Sequence, residues 1–284
     1  MELDLFPDFD TYVEKLVEYI PVQDETFDII ISTGGLSGYY ASGILSVIAY
    51  MQKVNKIKIN KIYCGSAGVY TAIPLILSTY YNEIKLTDFI IMFDNVMKQY
   101  NENNNKIVDS LVEIYNKYLP EDAYRYCNNK LYIYKTKLPF FTKEYICEYK
   151  NNKHLLQCTK ASSTVPYITT TNLYEEINGE KYIDAIQVPT IKSDPVIKKI
   201  YINLLNHSYD FYKRMYPVDK NIHCLVLQGI MDGYRFFRYN RQINTLYYYK
   251  PSSSIKYIKW FGILMFMYYL YKNIKYIKNR LLLK

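Results

Sequence analysis

Ser66 sits where a hydroxyl can be turned into a nucleophile. It lies in Cys64-Gly65-Ser66-Ala67-Gly68, directly after the β-prone stretch Lys58–Cys64 and directly before an apolar segment running to Leu77. A serine at a strand-to-helix turn, with small residues on both sides, is held on a sharp bend with its hydroxyl exposed, because only small neighbours fit there. The helix that follows points its positive end at the hydroxyl and favours negative charge beside it. Taken alone, the pattern also describes a tight turn of small residues in an ordinary α/β protein.

A second glycine-rich turn adds to it. Thr33-Gly34-Gly35-Leu36-Ser37-Gly38 also follows a short apolar strand, Asp28-Ile-Ile-Ile-Ser32, and opens a helix, roughly thirty residues before Ser66. Adjacent strands would bring the backbone N–H groups of residues 34–38 close to Ser66, where they would stabilise an oxyanion. The competing use of such a turn is a dinucleotide phosphate site, which wants a glycine at position 33 and an acid about twenty residues on. Position 33 is threonine and residues 51–61 contain no acid, which excludes that use.

Serine needs a partner to take its proton. The three histidines, His154, His207 and His223, lie in no glycine-rich or otherwise marked segment, and read as surface or core histidines. Asp184 is better placed. It follows Lys181-Tyr182-Ile183, the second arm of a hairpin whose turn is Asn178-Gly179, and precedes the small Ala185. An aspartate is a weak base at its reference pKa of about 3.9, so Asp184 would need a desolvated pocket and a direct hydrogen bond to Ser66. A capping or turn aspartate is the alternative at a strand end.

These groups need a scaffold, and the periodicity supplies one. Apolar residues at helical spacing predict a helix over residues 9–20, and Ile44, Val47, Ile48 and Met51 another behind the first glycine loop. Strand, turn, helix, strand, turn, helix opens an α/β layer fold with a parallel pair. Residues 87–118 are helical, interrupted by the polar stretch 101–105 and ended by Pro120. Strands are expected at 131–136, 144–149 and 199–205, and a helix at 222–234.

Taken in order, these residues resemble the patatin-like phospholipases, nearest in pattern to the adipose triglyceride lipase branch. The family's glycine-rich oxyanion loop, G-x-S-x-G elbow and Asp-Gly/Ala motif correspond to residues 33–38, 64–68 and Asp184-Ala185. Gly38-Tyr-Tyr-Ala-Ser-Gly43 and Ala161-Ser-Ser-Thr-Val-Pro166 extend the match, which covers roughly residues 28–189. Cys64 departs from the elbow's usual first glycine and puts a side chain at the turn; Thr33 and Ser37 depart from residues often glycine and basic. The resemblance implies a three-layer α/β/α fold with a mainly parallel central sheet. It also implies a lipid acyl hydrolase, a phospholipase A or acylglycerol lipase, cleaving membrane-lipid esters through a Ser66–Asp184 dyad and an acyl-enzyme. Gly34, Gly35, Leu36, Ser37 and Gly38 would form the oxyanion hole, and Cys64, Gly65, Ala67 and Gly68 the elbow. No metal or organic cofactor is implied. A lipid transacylase would use the same residues; a catalytically inactive lipid-binding or membrane-scaffold homologue is the reading from another class. An α/β-hydrolase is disfavoured, because only 65 residues precede Ser66 and no late histidine is marked.

Charge separates the chain into two parts. Residues 250–284 carry eight basic side chains and no acid, which equals the whole net charge of +8. Residues 1–249, the expected catalytic domain, are therefore neutral overall and have no charge reason to bind nucleic acid. After the linker Lys250-Pro-Ser-Ser-Ser254 comes an apolar and aromatic run over residues 260–271 between lysines. Such a segment reads as an interfacial helix, with membrane contact through residues 255–284. Five widely spaced cysteines with no Cys-x-x-Cys pair make a disulfide framework or zinc site improbable. The acidic start, without an apolar signal core, predicts an intracellular protein bound to the cytoplasmic face of a membrane and not secreted through a signal peptide.

Overall fold

The computed structural model describes residues 9–81, 83–103, 107–166, 169–185, 196–207 and 222–249. The expected linker and membrane-associating segment at 250–284 lie outside the described residues.

Eight strands form one mixed sheet. Its centre is parallel, in the order β3 (Leu131–Lys137), β2 (Lys58–Cys64), β1 (Thr26–Ile31), β7 (Lys198–Ile202). Both margins are antiparallel. β4 (Thr142–Ile146) and β6 (Glu180–Ile183) pair with β3, β5 (Glu175–Ile177) pairs with β6, and β8 (Leu246–Tyr248) closes the far side on β7. The β5–β6 hairpin turns through Asn178 and Gly179, both at positive φ (53° and 79°), as the sequence predicts.

β1 is one of the two inner strands of the parallel centre, and its residues after Thr26 are buried. That suits its nearly continuous apolar run, since a parallel central strand is covered on both faces. The exception is Asp28, whose Oδ1 accepts Asn60 Nδ2 (2.9 Å) and the Lys61 N–H (3.2 Å) beside an irregularity in the β1–β2 register. Burial nevertheless pushes its carboxyl above the ordinary range.

The two faces of the sheet are chemically different. Phe27, Ile29, Ile31, Ile62, Cys64 and Ile133 share one buried cluster with residues from every described helix. These are α1 (Phe9–Glu18), α2 (Gly38–Lys53), α3 (Ala67–Leu77), α4 (Leu86–Asn103), α5 (Ile107–Tyr118), α6 (Ala123–Cys127), α7 (Asn152–Ser163) and α8 (Ile222–Tyr239). Ile30, Tyr63, Tyr134 and Tyr201 form a second cluster with Ala185, edged by Tyr132, Tyr247 and Tyr249. Their rings pack on one another, Tyr63 on Tyr132 at 4.8 Å and Tyr201 edge-on to Tyr247 at 5.1 Å between centroids. The molecule is thus an α/β fold built on a mixed sheet flanked by helices.

The helical side is organised around α2. Gly43 and Gly229 let α8 cross it in near backbone contact: a Cβ on Gly43 would meet the Val226 carbonyl at 2.1 Å, and one on Gly229 the Tyr40 carbonyl at 2.1 Å. The Tyr40 hydroxyl joins the two by donating to Asp232 Oδ2 (3.0 Å) and pairing with Thr245 Oγ1 (2.8 Å). α1 is fastened at its C-terminal end by the Lys56 ammonium, which donates to the carbonyls of Val17 (2.7 Å), Glu18 (3.0 Å) and Ile20 (2.5 Å).

Several boundaries differ from the sequence expectation. The strand expected at 144–149 lies at Thr142–Ile146, and the one expected at 199–205 stops at Ile202. There the Leu204 N–H turns aside to donate to Ser32 Oγ (2.8 Å), and a short 3-10 helix, Leu204–Asn206, follows. α8 runs five residues past the expected end, to Tyr239. α6, α7 and β8 are unforeseen. Among the described residues no helix is long and apolar enough to cross a membrane.

The crossing of α2 and α8 yields a stability prediction. Gly229→Ala lowers the unfolding free energy by about 1–3 kcal/mol through overpacking. Gly233→Ala, whose Cβ would find its nearest neighbours at 3.4 Å, stays within about 1 kcal/mol of wild type. Urea titration of both variants checks the pair.

Candidate active site

β1 and β2 run parallel and side by side, with Ile31 opposite Cys64, so the loops that leave their C-terminal ends emerge together. This is the edge of an α/β sheet where ligands characteristically sit. The first loop is fixed at its base by Ser32, whose N–H donates to the Ile202 carbonyl (3.0 Å). Gly34 must be glycine because a Cβ there would stand 2.3 Å from the Leu204 Cβ. Gly35 takes positive φ (54°) and begins a 3-10 turn, Gly35–Ser37, that runs straight into α2. The Ser37 N–H donates to the Gly34 carbonyl (3.1 Å) and is committed to that turn. Gly38 then passes close to α3: a Cβ on it would lie 3.6 Å from the Ala67 Cβ.

Ser66 occupies the bend between β2 and α3 at φ 53°, ψ −130°, a backbone conformation unfavourable for any residue with a side chain. Such strain costs about 1–3 kcal/mol and persists only where the surroundings over-determine it. Two glycines do so here. A Cβ on Gly65 would meet the Ala185 Cβ at 2.6 Å, and one on Gly68 would meet Ile31 Cγ2 at 2.8 Å. Cys64 is the last residue of β2, fully buried in the helix-side core, and burial holds its thiol well above the usual range. Its side chain therefore packs beneath the turn, and the turn forms with cysteine at this position.

Asp184 leaves the end of β6 directly beside this bend. Its N–H donates to the Thr164 carbonyl (2.9 Å), the Ala185 N–H donates to the Ser162 carbonyl (3.1 Å), and its own carbonyl accepts the Thr136 hydroxyl (2.7 Å). The Ser66 side chain lies close enough to the Asp184 carboxyl to lower its pKa. Its Oδ2 is buried and has no hydrogen-bond partner among the described residues. Burial raises its pKa from the ordinary carboxylate value to about 7, against the lowering influence of the Ser66 side chain. The structure thus brings Ser66, Asp184 and the 33–38 loop together, as the sequence predicts.

It also adds a residue that sequence reasoning missed. Ser162, fully buried near the end of α7, accepts the Ser66 N–H on its hydroxyl (2.9 Å) while its carbonyl accepts the Ala185 N–H. It lies in the small-residue segment 161–166, whose composition signals close approach without saying to what. The three histidines are engaged elsewhere. His154 Nδ1 accepts the Lys150 N–H (3.2 Å), His207 packs on the Tyr40 ring (4.1 Å between centroids), and His223 stacks on Phe9 (6.4 Å).

The raised Asp184 pKa has a stability consequence with a definite sign. Between the ordinary value of 3.8 and about 7, the folded protein keeps a proton that the unfolded chain has lost. Stability therefore falls as pH rises through that window, and Asp184→Asn, which cannot ionise, escapes the loss. Denaturant unfolding of Asp184→Asn should show a gain of about 1–4 kcal/mol over wild type at pH 8, and no gain near pH 4.

No protein-family model matches the chain and no curated protein matches it, so the chemistry of this site rests on its own geometry.

Proposed function

We propose that this chain is a patatin-like lipid acyl hydrolase that cleaves carboxylic esters of membrane lipids through Ser66 and Asp184. The observation that carries this proposal is the strained Ser66 beside a half-buried carboxylate whose pKa is lifted to about 7. A base is most effective when its pKa lies near the working pH, and burial gives Asp184 that property without a histidine.

In the proposed reaction, Asp184 accepts the Ser66 proton as Ser66 Oγ adds to the ester carbonyl carbon. The carbonyl oxygen becomes an oxyanion. The Ser66 N–H is held by Ser162 and the Ser37 N–H by Gly34, so we assign the oxyanion donors to Gly35 and Leu36 with Ala67 at the start of α3. The N-terminal ends of α2 and α3 add their positive potential. Collapse of the intermediate breaks the ester C–O bond, and protonated Asp184 returns its proton to the departing alcohol. Water, deprotonated by the same carboxylate, then adds to the acyl-enzyme and releases the fatty acid with Ser66 restored. A transacylase would follow the same first half with an alcohol in place of water.

Membrane attachment through residues 255–284 belongs to this proposal and rests on their sequence, an aromatic run between lysines with no acid. Each lysine near an anionic surface contributes about 1 kcal/mol. Replacing Lys272, Lys275 and Lys278 by glutamate should therefore lower partitioning onto phosphatidylserine vesicles at least about tenfold, measured by co-sedimentation; unchanged sedimentation would refute the attachment.

Fatty-acid release from mixed phospholipid and triacylglycerol vesicles tests the chemistry. Ser66→Ala should abolish release and fluorophosphonate labelling, and Asp184→Asn should reduce kcat by about 10²–10⁴-fold. Because the base must be ionised, kcat/KM of wild type should rise with pH to a plateau, with a midpoint near the Asp184 pKa of about 7. A folded wild-type protein inactive on both lipid classes would favour an inert lipid-binding protein.

A further inference from the structure

The β3–β4 and β5–β6 hairpins end in turns of opposite chemistry. The β5–β6 turn is Asn178-Gly179, polar and small, as water selects. The β3–β4 turn is Leu138-Pro139-Phe140-Phe141, four apolar residues in a row above the last ladder pair, Lys137 with Thr142. The Leu138 N–H donates to the Lys181 carbonyl (2.8 Å), which sets the two turns side by side. None of the four is buried, and Phe140 is 83 % exposed. Single apolar residues at a surface are ordinary, but a run of four at a hairpin tip gains nothing in water and signals a partner.

The tip stands on the same edge of the sheet as Ser66. Ile133 lies opposite Cys64 in the parallel β2–β3 pair, and β3 runs four residues further to Lys137, about 13 Å. The turn therefore projects past the end of β2, at the edge where Ser66 sits. Asp184 lies at its foot: Thr136, two residues before Leu138, donates its hydroxyl to the Asp184 carbonyl (2.7 Å). Lysines bracket the apolar run, Lys137 before it and Lys143 after it. The nearby acids are each matched by a lysine. Glu144 and Glu180 both face Lys137 Nζ (3.6 and 3.0 Å), and Glu176 pairs across its hairpin with Lys181. Tyr249 lies at the opposite edge, its N–H on the Lys199 carbonyl, because β8 runs antiparallel to β7. An attachment through residues 255–284 alone thus starts away from Ser66 and leaves the direction of the site unset.

We propose that the 138–141 tip inserts into a membrane surface and turns the Ser66 edge of the sheet toward it, an inference that rests on the membrane-lipid reading of the site. Phe140 and Pro139 enter the boundary between headgroups and acyl chains. Lys137 and Lys143 stay at headgroup depth, with their stems along the apolar run. Insertion is shallow, because the peptide groups of the turn need water or headgroups as partners and hydrocarbon offers none. The ladder pair below the turn and the bond from Leu138 to β6 hold the tip in shape, so it enters the surface already folded. The tail keeps the chain at the membrane, and the tip decides which edge of the sheet faces it.

The test reads membrane depth at one position of the full chain. Trp260 is its single tryptophan, so Trp260→Phe supplies a background without indole. Phe140→Trp is added to it, or Tyr19→Trp as control. Tyr19 is exposed on the opposite edge, where Lys56, just before β2, binds the carbonyls of Glu18 and Ile20. On phosphatidylcholine–phosphatidylserine vesicles with brominated acyl chains, the indole at position 140 should be quenched and blue-shifted, and that at position 19 should be neither. Phe140→Asp in the wild-type chain should weaken partitioning onto these vesicles about tenfold, as withdrawing one phenyl ring from an apolar setting does. No quenching at position 140, equal quenching at both positions, or unchanged partitioning of Phe140→Asp overturns the inference. Activity separates it from the hydrolase reading. Phe140→Asp should keep kcat/KM on dissolved p-nitrophenyl acetate within about twofold while fatty-acid release from vesicles falls about tenfold; equal loss on both overturns the inference. If wild type cuts neither substrate but position 140 is quenched, the tip is a membrane contact and the hydrolase reading fails. If both are cut and position 140 is not quenched, the tip assignment fails alone.

Discussion

The site depends on what one buried serine does with its two ends. Ser162 receives the Ser66 N–H on its hydroxyl and the N–H of the residue after Asp184 on its carbonyl. Ser66 and Asp184 come from strands on either side of β3, 118 positions apart in sequence. Without a common partner, their separation would follow every small movement of α7 against the sheet. Buried hydrogen bonds are hard to lengthen, because an unmet donor costs about 1–3 kcal/mol. That penalty is comparable with the strain stored at Ser66, so the pivot is stiff enough to hold the turn in a conformation it would otherwise leave. Gly65 and Gly68 complete the constraint by admitting Ala185 and Ile31 to contact.

The same burial determines what the carboxylate can do. At the surface Asp184 would be fully ionised at neutral pH and nearly useless as a base. Desolvation raises its proton affinity by disfavouring the charge, and the Ser66 side chain beside it offsets that in part. Stability is given up in exchange, since an ionised, half-satisfied carboxylate is held inside the fold. Asp28 shows the other outcome of burial. It too is raised, but Asn60 and the Lys61 N–H bind one of its oxygens, and no nucleophile is among its hydrogen-bond partners. The two aspartates thus differ in what faces them: an amide and a backbone N–H at Asp28, the Ser66 side chain at Asp184.

What was legible in the sequence was local. The β2 strand, both glycine turns and the Asn178-Gly179 hairpin are set by backbone sterics within a few residues, and all form where those residues predict. Asp184 was legible because a strand end followed by alanine is a local pattern as well. α7 was not: its buried face mixes leucine and cysteine with threonine, serine and alanine, so no apolar stripe marks it, although Asn151 caps it by accepting the His154 N–H (2.8 Å). Ser162 and Thr136 were hidden for a related reason, since their importance lies in partners from distant strands. Gly43 and Gly229 look alike in sequence to any helix glycine; only the α2–α8 crossing shows why neither can carry a side chain.

α3 carries the strain at Ser66 into the core, since it is buried along its whole length. It begins at Ala67, directly after Ser66, and carries Tyr70, Thr71 and Pro74 toward α4. Because helical rise is fixed, the distances from Ser66 to these side chains cannot vary independently of the helix. A proline in the third turn would normally weaken such an element, yet every residue of α3 is buried, and the carbonyl left by Pro74 is taken by Tyr115. The proline thus leaves no polar vacancy behind it. The turn at Ser66 is in this way the start of one rigid element, anchored at its beginning by Ser162 and along its length by α5.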